Sequence, residues 1–290
     1  MNKEMIIKKL IEEVCIRLSP KGTFKLEYEQ TVKNNGTPVH TIRINKAPSS
    51  VGLHVHINEL LNDISQGNIT FTDAAVEIVR VYEESQCDVL IPRDVIETLL
   101  SLDSILAKVR FAVINTKLNI ARLEQIPHFD FLNLSAIYKA DLKLGIHEGA
   151  ITIDNNLMTR LGLNETDLRK AAMKNMKGTL TCESMGSFLG EPCLDKMLDM
   201  YVIRTSAQID GAAVLLFPEC FDTLAQALNS DLYILPSSIH EVFAVPANGN
   251  DLNTWKEIVK SVNQDDIKPT EVLNDSVYFY SRETKTITIA

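Results

Sequence analysis

The run Leu235-Pro236-Ser237-Ser238-Ile239-His240-Glu241-Val242 places two hydroxyls, an imidazole and a carboxylate within five residues. Those are the residue types of nucleophilic catalysis, in which a base takes the hydroxyl proton and an acid orients the base. Asp231 upstream and Asp275 downstream are the further acids such a site would draw on. Ser237, Ser238, His240, Asp231 and Asp275 are therefore the catalytic candidates of a hydrolase reading. Local geometry opposes a triad inside the run. In a turn leading into a strand, neighbours such as His240 and Glu241 point to opposite faces, so neither orients the other. The alternative is a serine-rich hairpin turn whose hydroxyls bond the adjacent backbone.

Three other constellations invite the same question. In His54-Val55-His56 an extended backbone would project both imidazoles from one face, about 7 Å apart. Neutral imidazole is a common metal ligand, and Glu59 is near in sequence. A third ligand at fixed spacing is missing, so the expectation is no metal, with His54 and His56 as the pair to inspect. Pro127-His128-Phe129-Asp130 offers a His two residues from an Asp, read as holding the start of a strand. Asn274-Asp275-Ser276 precedes Tyr278 and reads as a turn at the start of a hairpin. Glu241 and Tyr278 are the binding candidates. The sequence contains no G-x-G-x-x-G, P-loop lysine pattern, G-x-S-x-G or H-E-x-x-H, so no cofactor is expected.

The elements that must position these residues follow from periodicity. Ile7, Leu10, Ile11, Val14 and Leu18 recur at helical spacing before Pro20 and Gly22, with Cys15 expected on the same apolar face. Phe24 to Glu29 and Val39 to Ile44 flank Asn34-Asn35-Gly36, a hairpin turn because those residues accept positive φ at low cost. A third strand is expected over Leu53 to Ile57, then a short helix stopping near Gly67. Thr72 is the expected cap of a helix through Ala75, Ile78, Val79 and Tyr82. One further helix after Pro92 carries Val95, Leu99, Leu102 and Leu106 and closes an N-terminal lobe, residues 1–108.

A C-terminal lobe, residues 109–290, opens with a strand over Val109 to Ile114. Phe131 to Tyr138 and Ala150 to Ile153 are expected strands, and Asn164 with Asp167 reads as a helix cap. Lys177 to Pro192 is rich in Gly, Ser and Thr and is predicted to be a loop. Tyr201 to Arg204 and Ala212 to Phe217 are predicted to form a hairpin. Pro218 opens a helix carrying Phe221, Leu224 and Leu228. Leu232 to Leu235 and Val242 to Val245 are strands. Asp251 caps a helix through Trp255, Ile258, Val259 and Val262, and Ser276 to Tyr280 with Lys285 to Ile289 form a terminal hairpin. Strands arriving in hairpin pairs between helices predict α+β: hairpin-rich mixed sheets flanked by amphipathic helices, in two packed lobes.

Composition narrows the function classes. The chain has 290 residues, 45% of them hydrophobic and 23% charged, enough for a large core. Its 38 acidic against 29 basic residues leave a net charge of −9, which argues against direct nucleic-acid binding. No apolar run spans a bilayer and no signal peptide is expected. Five widely spaced cysteines with no C-x-x-C pair fit a reducing, cytoplasmic setting.

The run Asp231 to Val242, with Asn274-Asp275-Ser276-Val277-Tyr278, resembles an uncharacterised Firmicutes family known only as a domain of unknown function. Ala112 to Asn115 with Asn119, Pro127-His128, Met200 to Val202 and Gly211 to Ala213 carry the resemblance over most of the chain from about Lys33. That family is often carried by gut clostridia and their integrative elements. A second uncharacterised family, of Bacillus type, is similar in the order of its elements. The first family has a Thr-Ile-Tyr-like stretch where this chain has His54-Val55-His56, a departure that counts against metal binding there. The resemblance implies a cytoplasmic bacterial protein of a mobile element and supplies no mechanism.

The leading expectation is a non-enzymatic accessory or regulatory protein that binds another protein, for which a basic host defence protein is the partner suggested by charge and setting. The alternatives are a hydrolase using the C-terminal Ser, His and Asp residues, and a small-molecule sensor with an apolar pocket between the lobes.

Overall fold

A computed structural model describes residues 2–47, 52–85, 93–144, 147–190, 199–236 and 238–290. The chain divides into two units, Met1–Thr98 and Leu99–Ala290. Helices and antiparallel sheets make it an α+β protein, as the hairpin pattern predicts.

In the first unit, helix α1 (Lys3–Leu18) is capped by Asn2, whose side chain accepts from the Met5 N–H. Its buried face is Ile7, Leu10, Val14 and Leu18. Cys15 is exposed, which corrects the buried thiol expected there. One residue past Val14 turns about 100° around the axis, and that rotation carries Cys15 off the stripe. Strands β1 (Phe24–Val32), β2 (Pro38–Lys46) and β3 (Leu53–His56) form an antiparallel sheet in that order. The Asn-Gly turn forms as predicted, with Asn35 at φ 60° and Gly36 at φ 67°. Helix α2 (Asn58–Gln66) ends on left-handed Gly67, and helix α3 (Phe71–Glu84) follows. The cap of α3 is Thr70, not Thr72. Thr70 and Asp73 exchange side-chain and backbone hydrogen bonds in a capping box, which fixes the helix start two residues earlier. Ile42, Ile44, Ile57 and Ile78 fill the core against α1.

The helix predicted after Pro92 is two, α4 (Arg93–Leu99) and α5 (Leu102–Lys108), because Ser101 leaves the helical conformation to cap α5. Helix α5 packs on the second unit's sheet and helices. Strand β4 (Val109–Asn115) leads through a short helix α6 (Ile120–Leu123) to β5 (His128–Phe131), β6 (Leu134–Leu144) and β7 (His147–Thr152). The strand expected over Phe131 to Tyr138 is broken by a tight turn, in which Leu132 adopts φ 57°. Strand β6 pairs β4 on one side, and β5 then β7 along the other, all antiparallel.

Alternation along β6 decides what each face does. Leu134, Ala136, Tyr138 and Ala140 are fully buried in the main core with Phe111, Val113 and Phe217. Ser135, Ile137, Lys139, Asp141 and Lys143 face the other way, where Ile137 joins Ala112, Ile114, Leu123 and Ile126 in a small apolar cluster. That second face is apolar at one end and charged at the other.

Helices α7 (Asn155–Arg160) and α8 (Glu165–Met176) follow, the latter with the predicted Asn164/Asp167 capping box. The described part of the predicted loop over Lys177 to Pro192, which ends at Gly190, instead holds strand β8 (Leu180–Ser184) and helix α9 (Met185–Leu189). Pairing with β9 (Tyr201–Thr205) supplies hydrogen bonds that local composition does not reveal. Ala212 to Phe217 is not a strand. Gly211–Leu216 is a buried 3-10 segment leading into helix α10 (Pro218–Leu228). An apolar run of six carries no periodicity to tell the two apart. Strands β10 (Leu232–Leu235) and β11 (Glu241–Pro246), helix α11 (Leu252–Asp265) capped by Asp251, and strands β12 (Tyr278–Ser281) and β13 (Thr286–Ile289) complete the chain. The six strands of this sheet run in the order β13-β12-β10-β11-β9-β8.

Candidate functional site

The candidates of the Ser-Ser-Ile-His-Glu run lie between β10 and β11. Ser237 lies outside the described residues. Ser238 is buried and its hydroxyl donates to Glu241 Oε1 at 2.7 Å, while its oxygen accepts the His240 N–H at 2.9 Å. His240 Nδ1 accepts the Asp210 N–H at 3.2 Å, which places the imidazole proton on Nε2. The serine hydroxyl and the imidazole are thus each turned to a different partner. Asp231 closes a strand end, accepting the Arg282 N–H at 2.9 Å. Asp275 accepts from Asn263 Nδ2 at 2.9 Å, and the buried Tyr278 hydroxyl donates to Asn133 Oδ1 at 2.7 Å. Neither aspartate is hydrogen-bonded to Ser238 or His240.

His54 and His56 do share the outer face of β3, with Val55 buried between them. His54 Nδ1 lies 3.4 Å from Glu29 Oε2, and His56 Nε2 lies 3.1 Å from Lys33 Nζ. Burial, then the charges of Lys33 and His54, hold His56 below its ordinary value. Among the described residues no group of three or more His, Cys, Asp or Glu is arranged to hold a metal ion. His128 and Asp130 are not paired. His128 Nδ1 bonds the Ile126 carbonyl at 2.9 Å, and Asp130 accepts from Ser135 at 3.0 Å.

A dense charge cluster lies elsewhere, on the second face of the β6 sheet. Asp210 is 2% exposed and sits in the left-handed region at φ 51°. Its Oδ2 accepts from Arg110 Nη1 at 2.6 Å, and its Oδ1 accepts from Lys139 Nζ at 2.7 Å. Arg110 Nε also donates to Asp141 at 2.9 Å. Burial would push the Asp210 carboxyl up, but the charges and hydrogen bonds of Lys139 and Arg110 outweigh it and hold it below the usual carboxylate range. Burial lowers the Arg122 guanidinium, an effect partly offset by the charge of Asp210.

Backbone contacts fix this cluster in place. The Asp210 N–H is tied to His240, and the Ala212 N–H donates to the Ile239 carbonyl at 3.2 Å. Gly211 lies against the His240 carbonyl so closely that a Cβ would overlap it. The run singled out for a triad therefore acts as the support on which Asp210 rests. Register does the rest: Arg110 opposes Lys139 across β4 and β6, so both cations rise from one face toward the same carboxylate.

Beside the cluster opens a cleft of about 570 Å³. Lys108, Arg110, Lys139, Lys143, Asp141, Glu148 and Asp210 supply its charges, and Leu142, Ala150, Ala207 and Ile209 supply apolar wall. None of these was a sequence candidate. The available signals were a cation, Arg110, within an otherwise apolar strand, and the Asp210-Gly211 turn dipeptide.

A family model described as a family of unknown function, DUF5688, matches residues 3–282. No curated protein and no solved structure matches the chain. With a match that covers nearly its whole length, the chain belongs to the DUF5688 family.

Proposed function

We propose that the chain is a non-enzymatic accessory or regulatory protein that works by binding another protein. The observation that carries this reading is three exposed aliphatic side chains on two neighbouring segments at one end of the β6 sheet. Leu118, Ile120 and Leu132 are 50%, 61% and 41% exposed. The Thr116 N–H donates to the Asn133 carbonyl, which sets the 117–120 segment beside the β5–β6 turn. Leu132 holds its position at φ 57°, a conformation that costs a branched residue energy and that Asn or Gly adopts more readily. Exposed apolar groups on adjoining segments are what a contact surface is built from. The net charge of −9 favours a basic partner.

A mobile-element protein acting in the cytoplasm on a basic host defence protein is the setting we propose for this activity. The hydrolase alternative draws no support from Ser238 and His240, whose hydroxyl and imidazole are engaged by Glu241 and the Asp210 backbone.

The test is capture of tagged protein's partners from clostridial host lysate, beside the variant Leu118→Glu/Ile120→Glu. Exposed substitutions of this kind shift stability by about 0.5 kcal/mol or less, so the variant should fold as the parent does. One stoichiometric partner retained by the parent and lost by the variant supports the reading. A partner retained equally by both would remove this surface from the proposal, and no retained partner at micromolar concentration would count against protein binding itself.

A further inference from the structure

We infer that the cleft at Asp210 is a binding site for a small organic anion, a carboxylate or phosphate group carried on a compact apolar body. The site is distinct from the Leu118–Leu132 end of the sheet and does not depend on the partner reading.

Charge is the first argument. Lys108, Arg110, Lys139 and Lys143 line the cleft against Asp141, Glu148 and Asp210. Arg122 adds a further cation in the field of Asp210, its guanidinium 3.3 Å from the Thr152 hydroxyl, which neighbours Lys139 in the β6–β7 register. The cations outnumber the carboxylates here, although the chain as a whole carries nine more negative than positive charges. A local excess of the minority sign, set in a concave and partly desolvated wall, attracts a counter-ion.

Donor geometry is the second. Asp210 engages Arg110 through Nη1 and Asp141 engages it through Nε, so Nη2 keeps its two N–H groups. Asp210 is bonded to Lys139 through both carboxylate oxygens, and the ammonium retains a third N–H. Because Asp210 is buried and pinned by its own backbone, it fixes where both cations sit. Preorganised guanidinium and ammonium donors suit carboxylate and phosphate oxygens. The third argument is the wall: Leu142, Ala150, Ala207 and Ile209 provide apolar contact for a body attached to the anionic head, the usual composition of a small-molecule site.

Isothermal titration of the full chain at low ionic strength with phenyl phosphate and benzoate tests the assignment, with inorganic phosphate and benzyl alcohol as controls. Expected is 1:1 binding of one or both aromatic anions, tighter than inorganic phosphate, with benzyl alcohol not bound. Lys108→Ala at the rim should weaken binding several-fold, and Lys139→Met should weaken it about tenfold or more. Asp210→Asn should weaken it, because both cations lose the carboxylate that positions them. A purely structural ion cluster predicts none of these shifts in affinity. The inference is overturned if neither anion binds better than benzyl alcohol, if inorganic phosphate binds as tightly as phenyl phosphate, or if Lys108→Ala and Lys139→Met leave affinity unchanged. Lys108→Ala alters no buried group, so its effect on affinity can be read even where Asp210→Asn fails to fold.

Discussion

Gly211 and His240 are in backbone contact across two connections of the six-stranded sheet. The space over Gly211 is occupied by the His240 carbonyl, and the Thr205 backbone nitrogen lies 2.9 Å from where a Cβ would sit. One residue earlier, the Asp210 N–H bonds the His240 ring. The pair locks the segment after β9 against the β10–β11 connection and aims the Asp210 carboxylate at Arg110 and Lys139.

Gly211→Ala should therefore destabilise the protein by about 1–3 kcal/mol, the usual cost of forcing a methyl group into backbone that cannot retreat. The check is the urea midpoint measured by circular dichroism. A change below about 0.5 kcal/mol would mean that the contact relaxes freely.

Asp210→Asn leaves the half-buried Arg110 and Lys139 beside a neutral group. Removing one partner of a buried ion pair costs about 3–5 kcal/mol. Restoring balance with Asp210→Asn/Lys139→Met should recover part of that loss, read as a coupling in a double-mutant cycle of unfolding free energies. Strict additivity of the two substitutions would dismiss the pair as a stabilising unit.

The Ser238 hydroxyl joins Glu241 to the His240 backbone. Ser238→Ala removes the bond to Glu241 and strands the His240 N–H, at a cost of about 1–3 kcal/mol, seen as a lowered melting temperature. The parent should show no covalent labelling by a fluorophosphonate probe. Labelling that Ser238→Ala abolishes would return the site to the hydrolase reading.

His40 should make the first unit sensitive to acid. It is buried between Lys3 and Tyr28, with its Nδ1 2.6 Å from the tyrosine hydroxyl. Burial, then the Lys3 charge, hold its folded pKa below the ordinary value. The unfolded chain takes up this proton near pH 6.5, so the contribution of His40 is fully present above that pH and is lost as pH falls toward the lowered folded value. Stability measured between pH 7 and pH 5 should fall by up to about 1.4 kcal/mol per pH unit from this group. His40→Gln should flatten the slope; an unchanged slope would assign the loss to other groups.

Local chemistry carried much of the fold in the sequence itself. Positive φ at Asn35-Gly36, the Asn164/Asp167 capping box, the Asp251 cap and the terminal hairpin each depend on residues a few positions apart. Those preferences operate before the chain collapses. Where local signals misled, the deciding interaction came from far away. Strand β8 exists because β9 pairs with it, and Gly211–Leu216 coils because it is enclosed on all sides in the core, which an apolar run does not announce.

The charged cleft was beyond local signals for the same reason. Arg110, Lys139 and Asp210 are remote in sequence and become neighbours through strand register and one turn pinned by His240. Residue types at Ser237, Ser238, His240, Asp231 and Asp275 suggested chemistry by their proximity along the chain. Tertiary structure decided the partners of those it describes, because a buried polar group must be satisfied by whatever the fold brings within hydrogen-bond reach. Composition, net charge and local turn signals were the sequence's own; which side chains share a site was settled by packing.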